Sequence, residues 1–245
     1  MTITNLTIRQ FLKSKSLIVV AIICLIPLLI AIIPHFLSEE PSIRSLRNSM
    51  GKAIFLNMYA TLLIPIGAMV LSSAAFGDEI DDKTLYLLAL KPISRFRIVF
   101  EKFLAVVAVA LPIVWGAIAI VWTVISWGRF DNMTDLIWPM LASSAVGVLG
   151  FGSVFLAFSL FIRRTLIFGM FYVTIWEGVL ANYLPGIRSF SIGHYTRSVF
   201  VNLVDDRNLV IDDPATTARV VITIGLITLI SLGIGTWRLQ KMAIE

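Results

Sequence analysis

Three groups of residues in this chain have types and spacings that could support chemistry. Gly150-Phe151-Gly152-Ser153, with His194 downstream, supplies a hydroxyl nucleophile and an imidazole base. An intramembrane serine hydrolase needs that pair within hydrogen-bond reach. His194, however, falls in the loop after an apolar run rather than deep in a helix. Glu177 is the one formal charge well inside an apolar run, about 18 Å along it at about 1.5 Å per residue. A bare charge at such a depth costs about 3 kcal/mol on insertion scales. It must therefore face protein, water or a partner, as the lining of a substrate path or as a pin between helices. Asp205, Asp206, Asp212 and Asp213 make a locally acidic stretch that reads as a solvated rim, with Asp213-Pro214 as the N-cap and first turn of the last helix. Two separated histidines and the single cysteine, Cys24, give neither a metal site nor an intrachain disulfide. No G-x-x-x-x-G-K-[ST] phosphate loop is present, so the chain does not bind ATP in that way.

The elements that would position these groups are membrane helices. Hydrophobic residues make up 58% of the 245 positions and charged residues only 14%, against about a quarter charged in soluble domains. A bilayer core about 30 Å thick takes about twenty mostly apolar residues to cross. Leu17–Leu37, Ala53–Phe76, Phe103–Trp127, Leu136–Ile162, Thr165–Leu184 and Val220–Trp237 meet that requirement, the fifth weakened by Glu177. Each reads as a helix, because a lipid-facing backbone must satisfy its own hydrogen bonds and no period of two suggests a barrel. Pro27, Pro65 and Pro112 are tolerated inside such helices and can kink them. The expected fold is a single all-α transmembrane domain over residues 1–245. It has six spans, a short N-terminal interfacial helix (residues 1–16), and re-entrant or interfacial helices in the outer segment 185–217.

Six spans place both termini on one side. Lys and Arg at the N-terminus, between spans two and three, in the fourth turn and in the C-terminal tail outnumber those of the opposite loops and crowd the span ends. That side is therefore cytoplasmic. The positive balance of +5 suits anionic lipid rather than nucleic acid. On the cytoplasmic side lies the most charged stretch, Gly77 to Lys102. Asp81 or Asp82 can cap a helix over Lys83–Leu90, with Leu85, Leu88 and Ala89 as an apolar stripe. Lys91-Pro92 stops it, and Ser94 can cap a second helix running into the third span. Positive-inside anchoring accounts for the lysines and arginines but leaves the leucine stripe unexplained. An elbow so punctuated reads as a docking surface. In the fourth span, Ser143 and Gly147 form a small-xxx-small pair suited to close helix packing.

The succession Glu79, Thr84-Leu85, Leu88, Pro92-Ile93-Ser94-Arg95 and Lys102 resembles the cytoplasmic signature between spans two and three of ABC-2 type permeases. These are the membrane subunits of one class of ATP-binding-cassette transporters. The six-span plan, the N-terminal interfacial helix, Trp176-Glu177-Gly178-Val179-Leu180 and the outer segment extend the likeness over nearly the whole chain. Lys83 stands where that family has glycine, and Val154 stands where intramembrane serine proteases have it. The resemblance implies a non-catalytic subunit, an exporter more than an importer, without a motor of its own. Its cytoplasmic ATPase partner would carry ATP and Mg and dock on Glu79, Asp82, Thr84, Leu85, Leu88, Pro92, Ser94 and Arg95. A second permease copy or related chain would complete the translocation path. A stand-alone channel or carrier is disfavoured by the lack of an internal repeat and of further buried ionisable residues.

Overall fold

The computed structural model describes residues 3–37, 42–81, 94–162, 164–181, 185–204, 206 and 208–242. An amphipathic helix α1 (Ile3–Lys13) opens the chain and turns at Ser14, whose hydroxyl accepts from the Ser16 N–H to start α2 (Lys15–Leu25). The first span is interrupted at Ile26, just ahead of Pro27, one of the prolines expected to kink these helices. Proline has no N–H to continue the ladder, so Ile26 bonds back to Ile23 and α3 (Pro27–Leu37) restarts.

The second long helix starts well ahead of the expected Ala53. Ser42 caps α4 (Ile43–Asn48) by accepting from the Ser45 N–H. The backbone then widens over Ser49–Leu63 into a π-helix, in which Ile64 N–H bonds the Tyr59 carbonyl, before α5 (Ile64–Asp81). Next come α6 (Arg95–Ile125) and α7 (Thr134–Phe161), whose internal prolines, Pro112 and Pro139, do not end them. The fifth apolar run forms α8 (Thr165–Phe171) and a second π-helical stretch, Tyr172–Leu180. A 3₁₀ turn (Pro185–Phe190) leads to α9 (Ile192–Val204), and α10 (Thr217–Met242) closes the chain.

Five helices among the described residues are long and apolar enough to cross a membrane: Lys15–Ile33, Ile43–Gly77, Arg95–Ile125, Thr134–Phe161 and Thr217–Lys241. Of the fifth expected span, Thr165–Leu180 is an apolar helix shorter than these, and positions 182–184 lie outside the described residues. The helix Ile43–Gly77 and α7 are mostly enclosed, whereas the first span and α10 turn most of their surface outward.

The core sits around α7, and small residues set its closeness. A Cβ on Gly147 would stand 3.0 Å from Thr196 Oγ1, and one on Gly150 2.7 Å from Ile192 Cγ2, so α9 presses directly on the α7 backbone. In lipid, where burial supplies little drive between helices, such approach gains dispersion energy instead. Phe55 and Phe200 meet with ring centroids 4.6 Å apart, joining the π-helical stretch to α9.

Two expectations for the outer segment are corrected. Asp213-Pro214 does not begin the last helix: Asp213 takes a left-handed φ of 52°, a turn conformation aspartate tolerates, and α10 starts at Thr217. The acids are also not a uniformly solvated rim. Asp206 is half-buried against Arg47, and Asp212 reaches Arg188 at 3.3 Å. Asp205 lies outside the described residues.

Candidate functional site: the frame around the charged segment

The expected docking elbow is only partly in view. Asp82, Thr84, Leu85, Leu88 and Pro92, with the expected leucine stripe, lie outside the described residues. Glu79 lies in the last turns of α5, its side chain likewise outside the description. Ser94 is the N-cap of α6, in extended geometry (φ −60°, ψ 138°), but its hydroxyl makes no capping bond. Arg95 opens the helix, half-buried.

The helices flanking this segment are tied together. Lys102, fully buried on α6, donates its Nζ proton to the Ala75 carbonyl of α5 and lies 4.5 Å from the centroid of the Phe76 ring. Lysine so deeply enclosed is rare and needs such partners, since an uncompensated buried ammonium is costly. One residue earlier, Glu101 joins α6 to α1. Its carboxylate accepts from the Thr4 N–H at 3.2 Å, and its carbonyl accepts from the Thr4 hydroxyl at 3.2 Å. Arg97 holds the same carboxylate at 2.7 Å. An acid at the N-terminus of α1 also complements that helix's dipole. Both ends of the 82–93 stretch thus rest on one frame, built from α1, α5 and α6. The sequence flagged Lys102, whereas the Glu101–Thr4 contact, spanning 97 positions, left no local signal.

At the other end of the bundle, Glu177 is buried in the Tyr172–Leu180 stretch and gathers four donors. Ser191 Oγ donates at 2.5 Å, the Ile192 and Gly193 N–H groups at 3.1 and 3.2 Å, and Tyr172 OH at 3.2 Å. Ser191 Oγ itself accepts from the His194 N–H at 2.9 Å. These are the otherwise unpaired donors of the first turn of α9, so the carboxylate and Ser191 cap that helix together. The carboxylate thus pins the first turn of α9 through Ile192 and Gly193. Gly193 is required by proximity, since a Cβ there would stand 2.7 Å from Glu177 Oε2. Gly193→Ala is therefore expected to push the carboxylate off α9 and to lower the thermal midpoint of the purified chain by several degrees, as differential scanning fluorimetry would show.

On the same side, Arg47 grips three elements. It makes a two-pronged bond to Asp135 (2.8 and 2.7 Å), donates to Asp206 Oδ2 at 3.1 and 3.2 Å, and donates to the Asn132 carbonyl at 3.0 Å. The planar guanidinium suits such forked contact. The Asn208 backbone N–H, its side-chain amide and Arg47 hold the Asp206 carboxyl below the usual carboxylate range. A carboxylate so stabilised supports the fold above its unfolded value of about 3.9 and loses that support as pH falls through its lower folded value. Asp206→Asn is therefore expected to lower the melting temperature of the chain near neutral pH by a few degrees. The gap to wild type should close in acid below about pH 4, read by thermal melts across that range.

The hydrolase pair does not assemble. Ser153 donates to the Gly150 carbonyl at 2.8 Å within its own helix, and among the described residues no hydrogen bond joins it to His194. His194 is enclosed in α9, with its backbone N–H and carbonyl taken by Ser191 and Ser198. No group of three or more His, Cys, Asp or Glu among the described residues could hold a metal ion.

What remains is a helical membrane bundle whose built polar groups brace helices. Comparison with protein families finds a model described as an ABC-2 family transporter protein matching residues 1–244. The chain belongs to the ABC-2 transporter family. It is thus a multi-pass membrane permease of an ATP-binding-cassette transporter, in a family whose permeases are generally non-catalytic. No curated protein matches this ABC-2 permease.

Proposed function

We propose that this permease exports its substrate as a dimer driven by a separate cytoplasmic ATPase, which docks on the stretch around residues 79–95. The observation that carries the reading is the frame described above. The Lys102–Ala75 and Glu101–Thr4 bonds fasten α1, α5 and α6 together where the charged stretch begins and ends. A segment mounted at both ends on one braced unit passes a push to two spans at once, where a loosely held loop would absorb it.

In this reading, Glu79, Asp82, Thr84, Leu85, Leu88, Pro92, Ser94 and Arg95 form the contact. Glu79, Thr84, Pro92 and Arg95 transmit the motion. ATP with Mg draws two ATPase subunits together, and the permease bundles rock to change access to a path between them. That works only if ATP favours one of the two arrangements. Both termini and the docking stretch lie in the cytoplasm. Thr165–Leu180 serves as the fifth span with its following turn, and α9 re-enters the outer half of the membrane.

The test is co-purification. The tagged permease, expressed with a phosphate-loop ATPase encoded beside it, is expected to retain that ATPase through detergent extraction and to raise its turnover. A permease that retains no ATPase, or that transports alone, would overturn the reading. Cysteine accessibility mapping at Ser94 settles the sidedness independently.

A further inference from the structure

We propose that the exposed face of the helix Ile43–Gly77 around Lys52 binds the phosphate headgroup of an anionic membrane lipid. The face is a cleft of about 560 Å³ whose lining includes Arg44, Ser45, Asn48, Ser49, Lys52 and Asn57. Positions 45, 49, 53 and 57 recur every fourth residue on the wide helix, while Leu46, Met50, Ile54 and Phe55 are enclosed. Every polar residue named can donate hydrogen bonds, and no carboxylate among the described residues lines the cleft.

The two cations here are treated differently from their neighbour Arg47, which is engaged with Asp135 and Asp206. Arg44 donates to the neutral Asn208 Oδ1 at 2.8 Å and is in no ion pair among the described residues. Lys52 is exposed and likewise in no ion pair among the described residues. Two cations without a described acidic partner, with hydroxyls and amides around one cleft, match the oxygens of a phosphate, which accept several hydrogen bonds at once.

Depth selects the source of that phosphate. With Gly77 at one edge of the hydrocarbon layer, Asn57 stands roughly twenty residues away, about 30 Å at the helical rise, which is the other edge. Arg44 through Asn57 then lie in the headgroup layer, where lipid phosphates are concentrated and soluble anions must compete with them. Basic clusters at this level are read by anionic headgroups. Glu39 and Glu40, just ahead in the chain, lie outside the described residues and stay intact in the test.

The test uses the full chain and asks nothing of its ATPase. Purified permease in nanodiscs of phosphatidylcholine containing phosphatidylglycerol would be released into detergent and its retained lipids counted by native mass spectrometry. Wild type is expected to retain phosphatidylglycerol selectively, and the double variant Arg44→Gln/Lys52→Gln to lose it by roughly tenfold or more. Lys241→Gln, at the opposite end of the bundle, serves as the control and should retain it. Equal thermal midpoints in pure phosphatidylcholine would show that the double variant is folded. Equal retention by wild type and double variant would overturn the proposal. So would displacement of the lipid by millimolar glycerol phosphate, which would assign the cleft to a soluble anion.

Discussion

Glu177→Ala is expected to destabilise the purified permease by about 3 kcal/mol or more, a loss read as a lower thermal midpoint and faster proteolysis of the 185–217 segment. Removing the carboxylate strands the Ile192 and Gly193 N–H groups and the Ser191 hydroxyl in a buried site. Each buried donor left unpaired costs about 1–3 kcal/mol, and little water is available there to replace the lost acceptor. Glu177→Gln should lie between the alanine variant and wild type. Its carbonyl still accepts, but its NH₂ turns two hydrogens toward groups that themselves donate. Glu177→Asp, shorter by one methylene, should also fall short, because both oxygens are needed to span Ser191, Ile192 and Gly193. If the alanine variant melted like wild type while transport failed, Glu177 would be a lining of the substrate path and the pin would be incidental.

The second large effect concerns the proposed docking stretch. Leu88→Asp is expected to abolish substrate-stimulated ATPase activity in the assembled transporter, by more than tenfold, with membrane insertion and the melting temperature of the permease alone unchanged. An apolar anchor at the centre of a docking surface commonly carries about 2 kcal/mol or more, and a carboxylate in its place adds desolvation. Leu88 takes no part in the Lys102 and Glu101 bonds, so its replacement leaves them intact. Retained stimulation would count against docking through the leucine stripe. Lost stimulation together with poor insertion would instead mark Leu88 as structural. Activity and insertion must therefore be measured on the same preparation.

Much of this protein was legible in its residues because the bilayer is a demanding solvent. A backbone surrounded by lipid has to be helical, so apolar runs of sufficient length locate the spans, and among the described residues five of them are helices of crossing length. Local rules also located the start of α6 at Ser94, since cap and proline signals act within a few residues. The same local rules failed at Asp213-Pro214. A cap-like dipeptide fits a turn as well as a helix start, and the left-handed φ of Asp213 is set by the segment that must reach α10.

Other features were decided only in three dimensions. Nothing local marks Arg47, yet it finds Asp135 and Asp206 across 88 and 159 positions of chain. Glu177 was conspicuous as a charge in an apolar run, but its partners depend on how α9 folds back against α7, through contacts at Gly147 and Gly150 whose small size permits close approach without naming the partner helix. The serine and histidine that could have made a catalytic pair do not form one, because hydrogen-bond reach is a tertiary property and Ser153 is satisfied by its own helix. Residue type announces that a polar group in a membrane must be paired. Only the packing of the helices chooses the partner, since the donors and acceptors it brings together are drawn from distant parts of the chain.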